Sequence, residues 1–251
     1  MPSPTADDGV LRPLAEFEEG WHTARFLPHP ALTFPAVYAR RLKASPNAVA
    51  FFEVSVAGLD LCATPRTLVE VHEAALDAAA ELVRAGTRAG DRVILCLGKT
   101  SNFLPYFLAT QALGAIPVPL PGGSDFRGRG AFRERIQAVA ADCQPRVIVV
   151  DSSPETEAVA SLASSDVIVA GAGGPRAPGG EPASGFHLER SFHEPAFIQY
   201  TSGSTGAPKG VVVTHYNLVA NIRAVTEAAR FGPTDRSFNW LPLYHDMGLV
   251  G

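Results

Sequence analysis

Apolar and polar residues follow two different periods along this chain, one helical and one typical of buried strands. Between residues 67 and 84 the apolar side chains recur every three or four positions, which predicts an amphipathic helix that stops at Gly86. The stretch 90–97 that follows is apolar on both of its faces, as expected of a strand covered on both sides. The pattern therefore predicts a surface helix followed by a buried strand.

This succession of helix and buried strand continues toward the C-terminus. The pattern predicts further helices over 102–113, 131–141 and 154–163. It predicts further strands over 115–120, 146–150 and 166–170. Apolar strands that alternate with helices form βαβ crossovers, in which helices cover both faces of a parallel sheet. The sequence thus predicts an α/β fold of mostly parallel βαβ sheets covered by helices.

The beginning of the chain has a different character. Residues 1–30 contain five prolines and no clear period, which predicts an irregular N-terminal arm. From residue 31 to residue 251 we expect one domain, which opens with a short helix over 34–44 and a strand over 47–56.

A run without bulky side chains lies between two strand-like segments, 196–200 and 211–213. Every residue from 201 to 206 is Thr, Ser or Gly, which offers hydroxyls and unobstructed backbone N–H groups to an anion. Lys209 adds a positive charge, and Pro208 fixes the chain before it. Because ligands of parallel sheets lie at the carboxyl ends of strands, we expect the loop there. The predicted phosphate ligands are Thr201, Ser202, Gly203, Ser204, Thr205, Gly206 and Lys209.

A flexible Gly/Ser-rich linker is the alternative interpretation of this run. The run is also not a Walker A loop, since Lys209 lies between Pro208 and Gly210. Strand-like segments lie directly on both sides of the run, which favours a loop fixed at both ends by strands over a flexible linker between domains.

Composition and charge narrow the class of protein. The chain has 251 residues, of which 46% are hydrophobic and 18% charged, and these values suit a globular domain with a sizeable core. A net charge of −4 predicts neither a nucleic-acid partner nor an anionic membrane surface. The acidic, proline-rich start and the lack of a long apolar run predict a cytoplasmic protein without a membrane span. Three cysteines without pairing motifs predict buried thiols.

The run Tyr200-Thr-Ser-Gly-Ser-Thr-Gly-Ala-Pro-Lys-Gly210 resembles, residue for residue, the signature of the adenylate-forming superfamily. This superfamily includes acyl-CoA synthetases, adenylation domains of peptide synthetases, luciferases and fatty acyl-AMP ligases. Trp240-Leu-Pro-Leu-Tyr-His-Asp-Met-Gly-Leu249 and Phe197-Ile-Gln-Tyr200 are most similar to the fatty acyl-AMP ligases, as are 112–119 and 142–146. The resemblance runs from about Leu68 to the C-terminus and implies a partial large N-terminal domain of such an enzyme.

That resemblance implies ATP-dependent conversion of a fatty acid to an acyl-adenylate, which then passes to the phosphopantetheine thiol of an acyl carrier protein in polyketide, peptide or lipid biosynthesis. It implies ATP and Mg²⁺ as cofactors, catalytic roles for Lys209 and His245, and a hydroxyl of Thr205 close to the metal. Tyr244, His245 and Asp246 would lie beside the acyl substrate. The family's adenine-binding strand, ribose-binding aspartate and C-terminal lysine are not found in these residues, so we expect the isolated chain to be inactive.

Other interpretations stay open at this point. An acyl-CoA ligase or an amino-acid adenylation domain of the same superfamily would differ in acceptor or acid, and a non-catalytic nucleotide-binding or scaffolding fragment belongs to another class. His245 alone is also compatible with a structural histidine. Asp246 is equally compatible with the cap of a short helix formed by the residues after it.

Overall fold

The computed structural model describes residues 33–57, 60–122, 129–151, 159, 165–172, 182–201, 208–232, 235 and 237–250. Its helices are α1 (Phe34–Ala44), α2 (Leu68–Arg84), α3 (Thr100–Ala112), α4 (Arg129–Cys143), α5 (His215–Ala229) and α6 (Asp246–Leu249). Its strands are β1 (Val49–Ala57), β2 (Asp60–Thr67), β3 (Arg92–Cys96), β4 (Ile116–Leu120), β5 (Val147–Val150), β6 (Asp166–Val169), β7 (Pro195–Thr201) and β8 (Lys209–Thr214). The predicted arm over 1–30 and, apart from the buried Val159, the predicted helix over 154–163 lie outside the described residues.

A parallel sheet of four strands in the order β4-β3-β5-β6 forms the centre of the molecule. Successive side chains of β3 point to opposite faces, and both faces are buried. Val93 and Leu95 join a cluster with residues of α2 and α3, whereas Ile94 packs with residues of α4. The α/β fold with helices on both faces of a parallel sheet is therefore confirmed.

Two antiparallel hairpins accompany this sheet, β1 with β2 and β7 with β8. Strand β2 was not predicted, because its side chains are largely exposed and include Pro65, so they give no buried-strand pattern. Cys62 lies on this strand and is exposed, which corrects the expectation of three buried thiols. Cys96 and Cys143 are buried as predicted.

The strand before the predicted phosphate loop is not part of the parallel sheet, contrary to expectation. Only residues 202–208 separate β7 from β8. A parallel neighbour would need a crossover of a dozen or more residues, so this short connection favours an antiparallel hairpin. Thr214 caps the helix after β8, since its hydroxyl accepts the backbone N–H of Asn217.

The β7–β8 hairpin is held to the molecule through both faces of β7. Phe197 packs into the cluster that contains Phe107, with ring centroids 6.1 Å apart. On the other face, the Tyr200 hydroxyl donates a hydrogen bond to the Asp142 carboxylate. The Gln111 side chain also donates to the carbonyl of Ala196, at 2.7 Å. The strand that leads to the loop is thus anchored by packing and by hydrogen bonds.

Residues 237–250 fold back into a compact turn. The Asn239 amide donates to the carbonyl of Gly248 at 3.1 Å, and the backbone N–H of His245 donates to the carbonyl of Pro242 at 3.0 Å. Gly248 is buried, and a Cβ atom there would lie 2.2 Å from the Pro242 carbonyl oxygen. Leu249 and Val250 pack against the cluster that contains Phe197.

Within the described part of the chain, no helix is both long and apolar enough to cross a membrane.

His215, the first residue of α5, is buried, and its Nδ1 atom has no hydrogen-bond partner among the described residues. Burial lowers the pKa of His215 to about 4; nearby Arg190 acts in the same direction, while Glu194 opposes it. An unfolded histidine has a pKa near 6.5, so the unfolded chain binds the extra proton first as the pH falls. The neutral ring therefore contributes stability above pH 6.5 that is lost between pH 6.5 and 4.

We expect the free energy of unfolding to fall by about 2 kcal/mol between pH 7 and pH 5 through His215 alone. His215→Phe removes the titrating group and should flatten the pH dependence by that amount. Urea denaturation at the two pH values measures the difference. His187→Phe, at an exposed histidine, should retain the full dependence; equal pH dependence in wild type and His215→Phe would contradict this account.

Gly248→Ala should open the 237–250 turn, because the new methyl group meets the backbone carbonyl of Pro242 rather than a side chain that can move. Overpacking of this kind costs about 1–3 kcal/mol. We expect faster chymotrypsin cleavage near Trp240 and Tyr244, read by mass spectrometry. The control Gly232→Ala would place its methyl group 3.7 Å from the nearest atom, an ordinary contact, and should leave cleavage unchanged. An unchanged rate in Gly248→Ala would show that the turn tolerates the added atom.

Candidate functional site

The candidate site begins where β7 ends and β8 starts. Thr201, the last residue of β7, pairs directly with Lys209, the first residue of β8, and both are exposed. Cross-strand pairing thus brings a hydroxyl and an ammonium group to the two ends of one connection. The predicted phosphate ligands Ser202, Gly203, Ser204, Thr205 and Gly206, with Thr205 as the predicted metal ligand, lie outside the described residues and stay predictions.

One face of β7 leads from the core to this connection. Alternation along a strand places Phe197, Gln199 and Thr201 on the same face. Phe197 is buried, Gln199 is half-buried and Thr201 is exposed. This face therefore runs from the hydrophobic cluster, through a polar amide, to the open end of the hairpin.

The 237–250 turn packs against the same face. The Gln199 amide Nε2 donates to the carbonyl oxygen of Tyr244 at 3.0 Å, a contact between residues 45 positions apart. Leu243 packs against the cluster that contains Phe197. The structure thus brings the Tyr244–His245 segment beside the strand that carries Thr201.

His245 and Asp246 form a close pair on this turn. The His245 Nδ1 atom lies 2.6 Å from Asp246 Oδ1, and both side chains are exposed. The same nitrogen is 3.3 Å from the backbone nitrogen of Met247, which lies 2.7 Å from Asp246 Oδ1. Because the contacts with the carboxylate are the shorter ones, we place the ring hydrogen on Nδ1, which leaves Nε2 of a neutral ring as an acceptor.

Asp246 therefore has two roles in the geometry. It is the first residue of the short helix α6 and accepts the Met247 N–H there, whereas the N-cap of this helix is His245, so the helix-cap interpretation of Asp246 is wrong. It also orients the imidazole of His245 through Nδ1. Both contacts use Oδ1 of the same carboxylate.

Tyr200, although it belongs to the sequence signature, faces away from Gln199 and Thr201. Burial and the hydrogen bond to Asp142 raise the pKa of Tyr200 far above its ordinary value. A Cβ atom on Gly210, its cross-strand partner, would lie 2.9 Å from the Tyr200 ring. Burial also raises the pKa of the neighbouring Cys143 thiol to about 11. These residues fix the hairpin and keep a neutral hydroxyl and thiol.

The donor set suits a polyanion better than a protein-bound metal. Lys209 and the Thr201 hydroxyl are exposed at the mouth of the connection. No cluster of three His, Cys, Asp or Glu side chains arranged to hold a metal occurs among the residues that the structure describes.

Gln199 is the site residue that the sequence analysis did not single out. Its signal was present, since a glutamine in the apolar strand run Phe197-Ile-Gln-Tyr200 is a polar residue at a half-buried position. The position of its partner, Tyr244, depends on a tertiary contact.

Comparisons with known proteins identify the family of this chain. The family profile described as AMP-binding enzyme matches residues 39–251. A Caulobacter vibrioides protein, provisionally assigned as an acyl-CoA synthetase, is 30% identical over 241 residues, which cover 91% of this chain and 38% of that protein. The long-chain fatty-acid AMP ligase FadD23 of Mycobacterium tuberculosis is 29% identical over 236 residues, covering 88% of this chain and 38% of FadD23. The chain thus spans less than half of either relative.

A solved structure gives the same fold. The fatty acyl-adenylate ligase of Legionella pneumophila, crystallised with acyl adenylate and pyrophosphate, superposes with a TM-score of 0.71 over 87% of this chain and 37% of that one, at 24% identity. Since the family profile covers most of the chain, including β7, β8 and the turn that packs on them, the protein belongs to the AMP-binding, adenylate-forming enzymes.

Proposed function

We propose that this chain is the N-terminal part of a cytoplasmic fatty acyl-AMP ligase, with residues 31–251 in one domain. The observation that carries the proposal is that Thr201 and Lys209 lie at the end of the β7 face on which the Tyr244–His245 turn packs. A phosphate-binding end and an acyl-binding turn on one strand would hold the two substrates of adenylation side by side. The name of FadD23, a fatty-acid AMP ligase, supports a fatty acid as the substrate.

The first half-reaction joins a carboxylate to the α-phosphorus of ATP. A carboxylate oxygen forms the new bond to phosphorus, while the bond to the bridging oxygen breaks and pyrophosphate leaves with that electron pair. A carboxyl group with a pKa of about 4–5 is already ionised at pH 7, so no general base is required. The barrier is largely the repulsion between two anions, which positioned charges lower.

Lys209 is the proposed neutralising charge, and the Thr201 hydroxyl with those of Ser202, Ser204 and Thr205 would orient the phosphates. Lys209 is exposed, so its ammonium group is free to follow the phosphate chain without breaking a core contact. Bound Mg²⁺, for which Thr205 is the proposed protein ligand, would supply further charge neutralisation.

The Tyr244–His245 turn is proposed to line the entrance for the fatty acid. Asp246 holds the imidazole of His245 in one orientation through Nδ1. The half-buried Tyr244 presents its ring from a backbone that is hydrogen-bonded to β7. Substrate placement by such held side chains lowers the entropy cost of bringing carboxylate and phosphate together.

The second half-reaction transfers the acyl group to a thiol. The sulfur attacks the acyl carbon, AMP leaves with the bonding electron pair, and the thiol proton passes to water. We propose the phosphopantetheine thiol of an acyl carrier protein as the acceptor. Coenzyme A is the second candidate, because the Caulobacter vibrioides relative carries the name of an acyl-CoA synthetase.

Lys209→Ala in the full gene product should lower fatty-acid-dependent pyrophosphate exchange about 100-fold, as does loss of one positioned donor in other active sites. Its melting temperature should stay within about 2 °C of wild type, because the side chain is exposed. The control Lys43→Ala removes an exposed lysine from the last turn of α1 and should change neither quantity. Wild-type exchange in Lys209→Ala would overturn the role given to Lys209.

The isolated chain of residues 1–251 should not form acyl-AMP at a useful rate. It spans 38% of the length of its relatives, and catalytic groups that act as a unit lose nearly all of their effect when several are absent. The assay incubates the purified chain with ATP, Mg²⁺ and a long-chain fatty acid and detects acyl-AMP by mass spectrometry. The full gene product is the positive control. Turnover by the isolated chain comparable to that control would show that the essential groups all lie within it.

A further inference from the structure

Gln199 links the two halves of the candidate site through one amide group. Its Nε2 donates to the Tyr244 carbonyl oxygen at 3.0 Å. Its Oε1 is buried and has no hydrogen-bond partner among the described residues. The carbonyl of Tyr244 can only accept, so the amide must present its nitrogen to it.

The hydrogen bond fixes the turn immediately before His245. The Tyr244 carbonyl belongs to the peptide whose nitrogen is that of His245, and this N–H donates to the Pro242 carbonyl at 3.0 Å. The carbonyl of His245 in turn accepts the N–H groups of Gly248 and Leu249, each at 2.9 Å. Holding Tyr244 therefore holds the peptide that orients the imidazole.

Gln199 also lies two residues before Thr201 on the same strand face, which is a separation of about 7 Å along the strand. A shift of the turn along β7 would change the distance between the acyl-binding residues and the phosphate-binding end. Misplacement of reacting groups by about 1 Å can cost about 100-fold in rate. The hydrogen bond from Gln199 to Tyr244 is thus located where a small displacement would change the reaction rate.

The contribution of the Gln199 amide to the free energy of folding is small. A neutral hydrogen bond contributes about 1 kcal/mol net, whereas a buried acceptor without a partner costs about 1–3 kcal/mol. An apolar side chain of the same length would make neither contribution. Counting only the partners that the described residues supply, the amide adds little to folding, while its effect on the position of Tyr244 is specific.

We propose that Gln199 is a positioning residue for fatty-acid activation, which holds the Tyr244–His245 turn against the strand that carries the phosphate-binding end. The effect of Gln199 on the reaction rests on the proposed function, whereas the hydrogen bond by which Gln199 holds the turn does not. The residue touches neither phosphate nor acyl group in this account and acts through the Tyr244 carbonyl.

The test uses Gln199→Met in the full gene product, since methionine keeps the length of the side chain and removes both amide atoms. Loss of a bond of about 1 kcal/mol corresponds to about a fivefold effect. We expect about fivefold faster hydrogen exchange at the amides of His245, Gly248 and Leu249. The KM for fatty acid should rise about fivefold, the KM for ATP should change less than about twofold, and the melting temperature should not fall.

Gln111→Met is the matched control. Gln111 is also buried, its Nε2 donates at 2.7 Å to the carbonyl of Ala196 on the same strand, and its Oε1 likewise has no partner within the described ranges. This bond anchors the other end of β7, away from the turn. Gln111→Met should leave both the exchange of the 243–250 amides and the KM for fatty acid unchanged.

Unchanged amide exchange in Gln199→Met would show that Gln199 does not hold the turn against β7. A fall in melting temperature with equal losses for ATP and fatty acid would overturn the positioning role and leave a structural one. If the wild-type product shows no fatty-acid-dependent pyrophosphate exchange, the proposed function and the kinetic role of Gln199 both fail. The amide-exchange comparison then still decides whether Gln199 holds the turn.

Discussion

The register of β7 is the constraint on which the site depends. Because side chains alternate along a strand, a slip of one residue would exchange the faces of Phe197 and Ile198 and turn Gln199 away from Tyr244. Contacts at both ends oppose such a slip. Phe197 packs against Phe107 near the start of the strand, and Tyr200 binds Asp142 near its end.

Burial decreases along β7 in a way that suits a ligand site on a rigid support. Ala196 and Phe197 are buried in the cluster shared with α3, while Thr201 and its partner Lys209 reach solvent. A fixed support is needed for electrostatic catalysis, because donors that must first reorganise stabilise a transition state less. The anchored half of the strand supplies that rigidity, and the exposed end is left for charge and hydroxyl groups.

Periodicity predicted the elements well and their partners less well. Helix α1 occupies the predicted residues 34–44, because its pattern is local. The strand β2 escaped detection since exposed side chains and Pro65 hide the alternation. The strand before the loop was expected in the parallel sheet but pairs antiparallel with β8, and the short connection between the two strands was a usable signal of that pairing.

The site shows the same division between local and tertiary information. Lys209 was predicted from its place in the sequence signature and stays a prediction, while the cap expected at Asp246 lies one residue earlier, at His245. The bond from Gln199 to Tyr244 spans 45 residues and depends on how the 237–250 turn packs on β7, which no period in the sequence encodes. Two glutamine amides bind at this strand and differ in what they hold: Gln111, on α3, holds the strand to that helix, and Gln199 holds the peptide before His245 to the strand. The same kind of hydrogen bond therefore anchors β7 near its start and the 237–250 turn near its end.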